Sequence, residues 1–237
     1  MRKYIVKGLM AALIGVVGLL GVYTLVCAMS GSSVSDTVLF LWRFVEAPTS
    51  VGAVAPSSPA LACALVAQVK PGDEQTANYF LEVGAGTGAV TQNLVALLGK
   101  ADKLDVVELD SELAALLTER YKADARVQVH CCSIMHWCPP HKYNAIVIGV
   151  PFNALPFDLV QGIWQHVATL CLPGAPVSYF SYIGLAKIKK TLLNEEEQRD
   201  FESIQNFLRT LYKCYGVGKT KVWANVPPAR VAYLCFK

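Results

Sequence analysis

Between Tyr79 and Asp110 the chain reads YFLEVGAGTGAVTQNLVALLGKADKLDVVELD, an order that few folds accommodate. Tyr79 to Val83 is a short apolar run suited to a buried strand. Gly84, Gly86 and Gly88 follow at alternate positions, and Val90, Leu94 and Leu97 then recur at helical spacing. A second apolar run, Leu104 to Val107, ends in Glu108. The pattern predicts a βαβ unit with a glycine turn, close to the dinucleotide-binding arrangement. Glycines let a ligand lie against bare backbone, and Glu108 can accept hydrogen bonds from both hydroxyls of a ribose.

The spacing departs from the G-x-G-x-x-G of nicotinamide sites, reading Glu82-x-Gly84-x-Gly86-x-Gly88. A carboxylate at Glu82 would repel a pyrophosphate and welcome a ligand ammonium. This form resembles motif I of class I S-adenosylmethionine-dependent methyltransferases, whose ligand carries ribose, ammonium and sulfonium groups but no phosphate. The alternative is a glycine-rich turn in some other α/β protein.

At 237 residues the chain fits one α/β domain plus an appendage. Net charge is +3, too mild for a nucleic-acid footprint and compatible with an anionic membrane surface. The eight cysteines form no secreted-type framework, so reduced thiols are expected. The mean hydropathy of +0.39 owes much to Gly8–Met29, an uncharged run preceded by Arg2, Lys3 and Lys7. At about 1.5 Å per residue its length of about 22 residues reaches roughly 33 Å, enough to cross a bilayer core. The expectation is an anchor and linker over residues 1–33 and a catalytic domain over 34–237. A signal peptide cleaved near Val26-Cys27-Ala28 and an interfacial segment remain alternatives. Cations before the span favour a translocated domain; the cytosolic methyl donor favours the cytoplasmic face, which is the reading adopted.

Further along, Val38–Val45 is a short aromatic helix candidate, and Ser58 can cap a helix opened by Pro59 and running to about Val69. Ser111 can cap a helix to about Tyr121. Strands are expected at Arg126–His130, Tyr143–Val150 and Pro176–Ser181, with helices at Leu155–Leu170 and Glu195–Tyr215. Val217–Trp223 and Arg230–Phe236 read as a closing pair. The fold class is therefore α/β and Rossmann-like: a mostly parallel seven-stranded sheet with an antiparallel edge hairpin, plus an N-terminal hydrophobic helix.

Ile148-Gly149-Val150-Pro151-Phe152-Asn153 ends a strand, where the crevice of a doubly wound sheet lies. Carbonyls there can accept hydrogen bonds from an amine, and Phe152 could offer its ring to a cation. Phe40–Ala62, the glycine motif, IVIGVPFNALP and VWANVPPARV occur in this order. Together they resemble bacterial phospholipid N-methyltransferases acting on phosphatidylethanolamine, themselves similar to rRNA adenine dimethyltransferases. The resemblance spans Phe40 to the carboxyl terminus. It implies S-adenosylmethionine held by Glu82, Gly84, Gly86, Gly88 and Glu108, beside Cys132 and Gly149. It also implies a substrate side built from Pro151, Phe152, Asn153, Ser57, Ser58 and the Arg230 segment. Cys131-Cys132 stands where that family has Gly-Asp, and a cysteine accepts the adenine amino bond less well. Tyr179 and Tyr182 are candidates for positioning the amine, or packing residues. Arg230 could pair with a lipid phosphate or form a surface ion pair. His130, Cys131, Cys132, His136, Cys138 and His141 do not have zinc-ligand spacing, so no metal is expected.

The function expected is methyl transfer to a phospholipid amine at a membrane, with no nucleic-acid partner. The alternatives are an RNA adenine methyltransferase, a protein lysine methyltransferase and a non-catalytic binding protein. Headgroup choice, the number of methyls and the oligomeric state are not legible.

Overall fold

Runs of apolar residues too short for helices form the middle of the molecule. In the computed structural model, which describes residues 57–72, 76–183, 195–225 and 227–237, these runs make one seven-stranded sheet. The elements are α1 (Pro59–Val66), β1 (Tyr79–Val83), α2 (Ala89–Leu97), β2 (Lys103–Glu108), α3 (Ser111–Tyr121) and β3 (Val127–Cys131). They continue with β4 (Ala145–Ile148), α4 (Phe157–Leu170), β5 (Pro176–Tyr182), α5 (Glu195–Tyr215), β6 (Gly216–Val222) and β7 (Ala229–Cys235). Two 3-10 turns, Ile134–His136 and Phe152–Ala154, follow β3 and β4.

The strand order is β3-β2-β1-β4-β5-β7-β6. Strands β1 to β5 pair in parallel, and β7 runs antiparallel to both β5 and β6. Every residue of β4 is buried, as expected of a parallel strand covered on both faces. On one face Leu81, Val83, Ile146, Ile148 and Val177 pack with Ile163, Trp164 and Val167 of α4 and Ile204 and Leu208 of α5. On the other, Phe80, Leu104, Val106 and Val147 pack with Leu61 and Leu65 of α1 and Leu94 of α2. The chain winds outward from β1 in both directions, so its order reverses between β1 and β4. That reversal places a crevice at the carboxyl ends of these two strands.

The expected sheet and antiparallel edge are present, with local differences. The cap of α3 is Asp110, whose side chain accepts from the amides of Glu112 and Leu113, and Ser111 is the first helical residue. α1 stops at Val66, and β4 runs from Ala145 to Ile148, shorter than Tyr143–Val150 at both ends. Tyr143 instead makes an isolated bridge to Cys171. Among the described residues no helix is long and apolar enough to cross a membrane. The Gly8–Met29 run and the Val38–Val45 helix candidate lie outside the described residues.

Candidate functional site

The strand ends at the reversal are bound by backbone before any side chain contributes. The Gly84 amide donates to Val107 O at 2.8 Å, and the Gly149 amide to Val83 O at 2.8 Å, extending the ladder into both loops. Gly84 has φ +73, and a Cβ there would stand 2.7 Å from Val150 Cγ2. The close approach of the two loops therefore requires glycine. Gly86 also has positive φ, and a Cβ there would meet nothing within 4 Å because the turn faces open space.

That space is a hollow of about 230 Å³, walled by Gly84, Gly86, Glu108, Leu109, Cys132, Ser133, Ile134, Gly149, Val150 and Pro151. Leu155, Leu159 and Ile163 extend one side with apolar surface. A larger hollow of about 600 Å³ involves Lys103, Tyr121, Lys122 and Arg126, away from the glycine turn. It is lined by the opposite ends of β2 and β3 and lacks a strand carboxyl terminus.

Glu108 organises the smaller hollow. Its Oε2 accepts from the Gly86 amide at 2.8 Å and its Oε1 from the Asp110 amide at 3.0 Å. The carboxylate thus fixes the glycine turn and the start of α3, and each oxygen keeps further acceptor capacity. Arg120 of α3 tightens the same turn, donating from Nη1 to Thr87 O at 2.8 Å. Ser133 caps the turn after β3 by accepting from the Met135 amide. Burial, with Cys131 adding to it, raises the pKa of the Cys132 thiol.

A polar group packs behind the Cys132–Ile134 loop. Tyr143 donates to Asp105 Oδ2 at 2.9 Å and accepts from Trp137 Nε1 at 2.8 Å. His130 Nε2 lies 2.7 Å from Asp105 Oδ1, and His141 Nε2 lies 3.1 Å from Oδ2. Among the described residues no group of three or more His, Cys, Asp or Glu is placed to hold a metal.

A family model described as ribosomal RNA adenine dimethylase matches residues 64–172, just under half the chain. An ornithine lipid N-methyltransferase from Singulisphaera acidiphila is 27% identical over 144 residues, 58% of this chain and 73% of its own. The N-methyltransferase NodS from Bradyrhizobium japonicum WM9 superposes with a TM-score of 0.55 at 13% identity, covering 82% of this chain and 97% of that one. TrmN from Thermus thermophilus gives 0.55 at 18% identity, over 76% of this chain and 49% of its own. The two structures speak for the fold; the family match falls on the glycine turn, Glu108 and the β4 loop. The protein is an S-adenosylmethionine-dependent methyltransferase.

The hollow of the methyltransferase fits that donor. Glu108 presents acceptors for a ribose, and bare backbone at Gly84 and Gly86 leaves room for the amino-acid tail. Leu109, 72% exposed beside Glu108, and Ile134 offer apolar cover for a purine. The Leu109 position was not singled out in the sequence, although its place directly after the acidic residue marks it.

Gly84, Gly86, Glu108, Cys132, Gly149 and Pro151 of the expected set converge on the hollow. Glu82 does not. It is 0% exposed, lies off the hollow, and neither carboxyl oxygen accepts a hydrogen bond. Burial pushes its pKa up to about 8; Thr91 works against the rise and Glu108 adds to it. An ammonium contact at Glu82 is thus not what this arrangement offers, because the strand turns the side chain beneath α2. Gly88 caps α2, and a Cβ there would stand 2.6 Å from Leu117 Cδ2. It serves packing against α3.

Corrections on the substrate side follow from burial. Phe152 is 1% exposed, its ring 5.3 Å from Trp164 and 6.1 Å from Tyr179, so it lies in the core and not in the hollow. Tyr179 is buried on the same face, and burial pushes its phenol up to about 12. The Ser58 hydroxyl accepts from the Leu61 amide as the cap of α1, while its own amide donates to Asn225 Oδ1 at 3.0 Å. Its hydroxyl is therefore a structural group. Asn153 Oδ1 accepts from Gln205 Nε2 of α5 at 2.8 Å, a contact 52 residues apart that no local pattern announces. Tyr182 and Arg230 are partly exposed near the same end, on β5 and β7, and Ser57 is half-buried beside α1.

Proposed function

We propose that the protein is an N-methyltransferase acting on the amine of phosphatidylethanolamine at a membrane surface. The observation that carries this reading is the likeness over 144 residues to an ornithine lipid N-methyltransferase. The apolar side of the hollow at Leu155, Leu159 and Ile163 supports it, since an amine on a lipid must approach along such a surface.

When bound, S-adenosylmethionine supplies an electrophilic methyl group on a sulfonium. Glu108 would hold its ribose, the glycine turn its amino-acid tail, and Leu109, Ile134 and Cys132 would line the place for its base. Carbonyls of the Gly149–Pro151 loop accept N–H bonds from the incoming amine and direct its lone pair along the transfer line. The apolar wall excludes water and disfavours the ammonium form, so the amine enters neutral after giving its proton to solvent. Tyr182 and Ser57 border the entry, and Arg230 pairs with the headgroup phosphate. In this reading Gly8–Met29 holds the protein at the membrane, with the domain on the cytoplasmic face.

A second reading, adenine methylation of RNA, is favoured by the family model over residues 64–172. One experiment separates them. Membranes containing the protein are incubated with methyl-labelled donor, and lipid, RNA and protein are fractionated. Label in mono- or dimethylated phosphatidylethanolamine is expected; label confined to RNA or protein overturns the lipid reading.

A further inference from the structure

The charge of this chain is unevenly spread. Residues 203–237 carry six lysines and arginines and no aspartate or glutamate, whereas those before them hold fifteen cations against eighteen carboxylates. The fold brings part of this excess to an edge. Among the described residues β6 is the outermost strand and pairs only with β7. Side chains alternate along a strand, so Lys219 and Lys221 share one side of it with Trp223, just beyond its end. Lys219 Nζ stands 3.5 Å over the Tyr212 ring, Lys221 Nζ lies 5.8 Å from the Trp223 ring, and Lys221 is opposite Arg230 in register.

Position along the strand matters as much as charge. β5 and β6 both run antiparallel to β7, so β6 points the same way as β5. Trp223 therefore stands at the end of the sheet where the donor hollow opens. It is 66% exposed, and Val217 on the same strand is 63% exposed. This exposure belongs to a fixed turn: two residues on, Asn225 is buried, accepts from the Ser58 amide at 3.0 Å and donates to Pro227 O at 2.7 Å. An indole held rigidly in water leaves apolar area uncovered, and the residue suits a boundary with one apolar and one wet side.

We propose that Trp223, with Lys219 and Lys221, forms the face on which the methyltransferase rests against an anionic lipid bilayer. Trp223 enters the headgroup layer and turns the donor hollow toward the lipid. The proposal rests on the reading of the substrate as a membrane lipid. Lysines held near an anionic leaflet are attracted to its surface potential. RNA would also attract these cations, but it gives no reason for Trp223 and Val217 to stand exposed beside them.

The test reads the indole directly, so that any membrane attachment through the amino-terminal residues does not mask it. Full-length protein is placed in phosphatidylcholine vesicles with or without phosphatidylglycerol, some carrying brominated acyl chains. The emission lost on Trp223→Phe isolates this indole from the other three tryptophans. With phosphatidylglycerol, the Trp223 emission is expected to shift to shorter wavelength and be quenched. High salt, or the K219Q/K221Q double variant, should remove both effects while methylation of detergent-dispersed lipid continues at the unaltered rate. Trp223 emission that stays unquenched and aqueous in every vesicle overturns the proposal, as does a response to an RNA oligonucleotide but not to vesicles. Quenching without any lipid methylation would uphold this face and reject the substrate reading alone.

Discussion

Glu108 and Glu82 are carboxyls on neighbouring parallel strands, and their surroundings give them opposite tasks. Glu108 meets two backbone amides and a hollow. On the proposed ribose contact, replacing it with alanine would remove that acceptor and free the Gly86 and Asp110 amides, so donor affinity should fall by about 1–3 kcal/mol. Calorimetric titration with S-adenosylmethionine checks this, and unchanged affinity rejects the assignment. The Glu82 carboxyl oxygens accept no hydrogen bond among the described residues, and burial, opposed by Thr91, raises the group's pKa to about 8 from a usual 4.5. Its folded form keeps the proton where the unfolded chain has released it. Stability is therefore greatest below about pH 4.5 as far as this group is concerned, and is lost as pH rises toward about 8. The slope is about 1.4 kcal/mol per pH unit. Urea unfolding across that window should show the decline, and Glu82→Gln should flatten it.

Loops and helices bring these residues into place. Gly84→Ala would force a methyl group against Val150 and hold alanine at positive φ, so the β1 and β4 loops would separate. Donor affinity should drop at least tenfold while the far-UV dichroism stays near that of the parent. Gln205→Ala removes the tie from α5 to Asn153. It should raise the KM for the amine substrate several-fold and leave the donor Kd unchanged, separable by steady-state kinetics and titration. The glycine turn and Glu108 were legible in sequence because their spacing is local and chemically unusual. Phe152 was not, because it sits in the short turn after β4, where no periodicity shows which side a ring takes; Tyr179 read equally as positioning or packing, because β5 carries rings on both faces. Ser58 carries a hydroxyl that reads equally as ligand or cap, and only the distance to the Leu61 amide decides. Gln205 and Arg120 act across long stretches of chain, which no periodicity encodes.

The fold class of the whole molecule followed from strands alternating with helices and two final strands without a helix between them. What the pattern could not supply was the order of that last pair. β7 lies inside, against β5, and among the described residues β6 is outermost, with β7 its one strand partner. Along the chain, however, β6 precedes β7. Until residues 229–235 are synthesised, β6 has no strand to join, and β5 offers an open, apolar edge to any other chain. The two must then dock together, closing a gap of 47 positions between the paired residues Tyr182 and Ala229. Removing residues 229–237 should therefore yield aggregates instead of a domain lacking one strand, as size-exclusion chromatography would report. Refolding should be limited by this late insertion, with nascent chains depending on chaperones until the inner strand arrives.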